Sequence, residues 1–68
     1  MVQREKADLA YGFIVGHLAK FGSAPTVREI TDAAGLRSSR SGYQIINQLV
    51  ADGRLVKDLK GAIRVPES

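Results

Sequence analysis

Between Pro25 and Gly53, in PTVREITDAAGLRSSRSGYQIINQLVADG, the chain carries two helix starts and two helix stops, and no other stretch restricts the fold as much. Thr26 and Glu29 stand at the spacing of a capping box, in which the hydroxyl and the carboxylate satisfy free backbone N–H groups reciprocally. Pro25, just before them, ends whatever precedes. Val27, Ile30 and Ala34 form one apolar stripe, and Gly35 supplies the left-handed residue that stops the helix. A second helix then starts at Ser38 or Ser39, one of which is its N-cap. Ile45, Ile46, Leu49 and Val50 continue at helical spacing until Asp52 and Gly53 close it. The predicted helices cover 27–34 and 39–51. Arg40, Ser41, Tyr43 and Gln44 fall on the outer face of the second one. Gly42 is unusual so near a helix start; it permits close approach of the backbone to the preceding helix or to a ligand.

Upstream, Ala7, Ala10, Tyr11, Ile14, Leu18 and Phe21 recur at steps of three or four residues, which predicts an amphipathic helix over 4–21 ending at Gly22 and Ser23. Phe13 and Val15 widen its apolar face, for a broad core or for a partner or second copy. Gly12 and Gly16 lie one turn apart and each cost about 1 kcal/mol of helix stability relative to alanine, a cost that close approach of another backbone would explain. Downstream of Gly53 the period becomes strand-like. The segments 54–57 and 62–65 carry Leu55 and Val56, then Ile63 and Val65, around Asp58 to Gly61, which reads as a hairpin over 54–65. Two strands alone are marginal in water, so this hairpin must lay its apolar side chains on the helices. Pro66 ends the second strand because it has no N–H to donate. The order helix, helix, helix, hairpin is that of a winged helix-turn-helix, mainly α with a small antiparallel wing.

A chain of 68 residues is one domain with a modest core, so function is expected on the surface and not in a deep pocket. It has no cysteine, which excludes disulfides and thiolate metal sites. His17, the one histidine, has no second ligand at helical spacing. No metal or cofactor is expected. Neither a signal peptide nor a membrane span is visible, and a cytoplasmic location is expected. The formal charge of +3 is unevenly placed. Residues 1–34 balance Arg4, Lys6, Lys20 and Arg28 against Glu5, Asp8, Glu29 and Asp32. Residues 35–68 set Arg37, Arg40, Arg54, Lys57, Lys60 and Arg64 against Asp52, Asp58 and Glu67, so the whole excess lies in the half that contains the last helix and the hairpin. A field of that sign attracts polyanions.

From about Ala7 to Val65 the chain resembles the N-terminal DNA-binding domain of the LexA repressor family. The resemblance is carried by PTVREI at 25–30, GLRS at 35–38, INQLVADGRL at 46–55 and GAIRV at 61–65. It implies a third helix in the major groove, a wing against the backbone or minor groove, and two copies on a palindromic operator, hence a homodimer at least on DNA. By position it places base reading on Ser38, Arg40, Ser41, Tyr43 and Gln44. The family uses Asn and paired Glu side chains on this helix, so a different operator is expected here. The loop between the strands is also shorter than the family's. The family's second domain, whose Ser–Lys dyad cleaves the linker and which joins two subunits, has no counterpart in these residues. Self-cleavage is therefore not expected, and the chain reads either as a free-standing regulator of the kind phages and mobile elements encode or as an excised domain.

The side chains suit that reading. Arg40 can bond bidentately to guanine O6 and N7, Gln44 to adenine N6 and N7, and Ser41 can donate or accept, each adding roughly 1–3 kcal/mol of base discrimination. Tyr43 suits a phosphate or a thymine methyl. Backbone contacts are expected from Arg37, Ser38, Ser39, Arg54, Lys57, Lys60 and Arg64. The expected function is sequence-specific double-stranded DNA binding by a small regulator, most simply a repressor. The alternative is a protein–protein interaction module acting on a polymerase, a replication factor or another repressor. An enzyme is not expected, because Asp8, Glu29, Asp32, Asp52 and Asp58 do not pair into an acid–base or metal constellation.

Overall fold

The computed structural model describes residues 4–59 and 62–66. Three helices, α1 (Arg4–Phe21), α2 (Val27–Ala33) and α3 (Ser39–Ala51), precede two short strands, β1 (Val56–Lys57) and β2 (Ile63–Arg64), which pair antiparallel with Val56 opposite Arg64 and Lys57 opposite Ile63. Every pair of helices is in contact, and the core is built where they meet. Ala7, Ala10 and Ile14 come from α1, Ile30 from α2, and Ile45, Ile46 and Leu49 from α3. The hairpin adds Leu55 and Ile63, and these two side chains attach it to the helices.

Local chemistry sets the helix limits. At the start of α2 the Thr26 hydroxyl accepts from the Glu29 amide (3.1 Å) and the Glu29 carboxylate accepts from the Thr26 amide (2.9 Å), a complete capping box. Both later helices end in the same way. Gly35 and Gly53 have φ of 70° and 79°, and the chain turns back on itself at each. Gly35 N–H bonds to Asp32 O and Leu36 N–H to Thr31 O; Gly53 N–H bonds to Val50 O and Arg54 N–H to Leu49 O. These are the paired bonds of a Schellman motif, which satisfy carbonyls that a helix end otherwise leaves free.

The hairpin ladder is shorter than the predicted strands, and its two ends show why. At the open end, extending the register would set Arg54 opposite Pro66. Arg54 N–H is committed to Leu49 O, and proline has no N–H to offer in return. At the turn, Asp58 N–H still bonds to Ala62 O (3.0 Å), but Ala62 N–H goes to the Asp58 side chain (2.8 Å) in place of a backbone carbonyl. The pleat places Leu55, Lys57, Ile63 and Val65 on one face and Val56 and Arg64 on the other.

Gly42 settles the choice that its position left open. It is buried on α3 against α2, and a Cβ built on it would collide with Thr31 Oγ1 and come within 3.4 Å of Val27 Cγ1. The close approach is to the preceding helix. Thr31 itself is buried, and its hydroxyl donates to Val27 O (2.7 Å).

Candidate nucleic-acid interface

Helix α3 divides cleanly into two faces. Gly42, Ile45, Ile46 and Leu49 point into the core, which leaves Arg40, Tyr43, Gln44 and Asn47 as an exposed stripe at steps of three and four residues. Tyr43 is 54% exposed although it is aromatic. Of these, Asn47 was not among the residues singled out from the sequence. Its signal lies in the period itself, three residues beyond Gln44 and four beyond Tyr43 on the same helical face. Ser41 departs from expectation. It is half-buried at the edge of the helix, with its amide 3.5 Å and its hydroxyl 3.4 Å from the Ser38 hydroxyl. Its neighbours Arg40 and Gln44 face out; Ser41 faces the cap.

The two serines at the start of the helix have separate jobs. Ser38 is the N-cap, in extended backbone with φ of −142° and ψ of 155°, and its hydroxyl is occupied by the Ser41 amide. Ser39, the first helical residue, is exposed, as are Arg37 and Arg40 around it. No acidic residue lies in the first turn of α3, so nothing there opposes the positive end of the helix dipole. An anion approaching this end meets amide dipoles, a hydroxyl and two guanidinium groups of the same sign.

The cations of the hairpin are arranged less simply. Lys57 and Arg64 are both exposed, but the pleat sends them to opposite faces, Arg64 beside Val56 on the outer one. Lys60, expected at the tip, lies outside the described residues. Leu59, beside it, is fully exposed. Arg54 is drawn to α1: one guanidinium nitrogen is 2.8 Å from Asp8 Oδ1, and the group lies 4.2 Å from the centre of the Tyr11 ring. Its charge is therefore partly spent within the fold, and the pair is separated by too many residues for sequence periodicity to reveal.

Among the described residues no group of three or more His, Asp or Glu side chains is placed to hold a metal ion. His17 has a structural partner, since its Nδ1–H donates to Ser23 O (2.6 Å) and its ring lies between those of Phe13 and Phe21. No described helix is long and apolar enough to cross a membrane. Compared with protein-family models, with curated proteins and with solved structures, the chain finds no match.

Proposed function

We propose that this chain is a sequence-specific double-stranded DNA-binding regulator, a winged helix-turn-helix of the LexA-like kind that acts most simply as a repressor. The observation that carries the reading is the exposed stripe of Arg40, Tyr43, Gln44 and Asn47 on a helix that begins in a cluster of exposed positive charge. A stripe of long polar side chains without an acidic member suits the major groove, where guanine offers paired acceptors to an arginine and adenine an acceptor and a donor to an amide. Asn47 joins Gln44 as a second amide with that capability. Ser39, Arg37 and the α3 amides suit a phosphate, which would fix the register of the helix on the duplex. Lys57 and Arg64 supply further charge without base reading. Arg54 ranks last among the predicted phosphate contacts, because Asp8 already holds it.

The experiment is selection from sheared genomic DNA against random duplex at two salt concentrations, followed by affinity measurements on the enriched site. Arg40→Ala, Gln44→Ala and Asn47→Ala should each lower affinity for that site, by about 1–3 kcal/mol for a lost bidentate pair, while binding to random sequence stays nearly unchanged. Lys57→Ala should weaken both equally and reduce the salt slope by about 1. Equal losses on both DNAs for the α3 variants would refute base reading by this helix.

A further inference from the structure

Opposite the face that α1 buries lies a surface of unusual composition for a solvent-facing helix. Leu9 is 56% exposed, Gly12, Gly16 and Ala19 follow it in the same direction, and the charges along this side are Glu5 at one end, Lys20 at the other and, at its edge, Asp8, which is paired with Arg54 at 2.8 Å. The two glycines are not there for packing within the chain, because nothing lies within 4 Å of a Cβ built on either. In the isolated chain they only weaken the helix. Glu5 pairs with no cation among the described residues, and Lys20 lies over the Phe21 ring without a carboxylate partner among them.

We propose that this face of α1 binds the same face of a second copy, antiparallel, about a two-fold axis that crosses the helix between Gly12 and Phe13. The register follows from the sequence. With the axis there, each Leu9 lies over the partner helix at the position of its own Gly16, so a projecting side chain meets the place where the other helix has none. The two helices pass closest near Gly12, and Glu5 of each copy stands beside the lysine that corresponds to Lys20. A two-fold contact must be self-complementary, and this stripe is, in shape at the leucine and glycine and in charge at its ends. Antiparallel alignment also sets the helix dipoles in opposition, which favours the pairing. The contact uses none of the α3 residues assigned above to DNA, so it stands or falls independently of that assignment.

A single helix-on-helix contact is small and predicts a weak dimer, visible at high protein concentration. The test is sedimentation equilibrium of the full chain, without DNA, over a wide concentration range. Gly16→Gln projects into open solvent in a single chain and replaces a poor helix former with a good one. It should therefore abolish the dimer while the melting temperature of the dilute protein holds or rises, so loss of association cannot be ascribed to unfolding. Glu5→Lys and Lys20→Glu should each weaken dimerisation, and the two together should restore it, because the exchanged charges face each other again. A chain that stays monomeric at every concentration would overturn the proposal. So would a dimer that Gly16→Gln leaves intact, or single charge variants that the double variant fails to rescue.

Discussion

Adding one methyl group at Gly42 sets two physical effects of opposite sign against each other. On an open helix face Gly→Ala stabilises, by about 1 kcal/mol. At Gly42 the new Cβ would collide with Thr31 Oγ1, and there are two ways to relieve it. Thr31 can rotate, which gives up its hydrogen bond to Val27 O and leaves a buried hydroxyl unsatisfied at a cost of about 1–3 kcal/mol. Alternatively α2 and α3 can part, which loosens the packing of Ile30 and Ile46; overpacking of this kind costs about 1–3 kcal/mol. After the helix-propensity gain, Gly42→Ala should destabilise by about 1 kcal/mol, a fall in melting temperature of roughly 4–8 °C for a domain of this size. Thr31→Ala removes the obstructing hydroxyl, so the double variant should be more stable than the two single effects added together. Urea and thermal unfolding followed by circular dichroism would measure all three. A Gly42→Ala protein more stable than the parent, or strict additivity with Thr31→Ala, would refute the argument that α2 and α3 meet through this glycine.

Two further outcomes follow from contacts nearer the surface. The Thr26 amide, and secondly the Thr26 side chain, hold the Glu29 carboxyl below its ordinary pKa by hydrogen bonding to it. A depressed folded-state value contributes stability that is fully present above the ordinary carboxylate pKa and is lost as pH falls through the folded one. Glu29→Gln keeps an acceptor at the cap without the titration, so its urea midpoint should fall less steeply on acidification than the parent's; identical acid limbs would show that the capping box does not titrate. Arg54→Ala removes both the Asp8 contact and the cover over Tyr11, and should cost about 1 kcal/mol, since an exposed pair is worth 0.2–1 and an exposed cation–π contact about 0.5–1. Asp8→Asn should cost less, because the ring contact survives, and raising the salt concentration should narrow its effect; equal losses for the two variants would deny the tyrosine a part.

The helices were legible because their limits are local. Thr26 and Glu29 are three residues apart, and Gly35 and Gly53 each follow the last core residue of their helix closely, so signal and effect lie within one turn of chain. The hairpin was legible in its apolar residues but not in its extent, since that depends on where the Arg54 amide goes, and its acceptor on α3 lies outside any strand pattern. On the candidate interface, period alone separated Arg40, Tyr43 and Gln44 from the core. Period alone does not place Ser41, which sits at the boundary between the two faces with its hydroxyl 3.4 Å from the capping hydroxyl of Ser38. The pairing of Arg54 with Asp8 was beyond reach for a different reason: charge on a sequence carries no distance, and only the packing of α3, whose end holds the Arg54 amide, against α1 brings the two together.

One carbonyl has a wider consequence than its place in a helix end suggests. Leu49 is fully buried, and its oxygen accepts from both the Arg54 amide (2.9 Å) and the Leu55 amide (3.2 Å), while the Leu55 side chain enters the core beside it. The joint between α3 and the hairpin is thus welded at the centre of the molecule and not hinged at its rim. A partner that touches both surfaces meets them at a spacing already set by folding, and little orientational freedom of one against the other has to be surrendered when it docks.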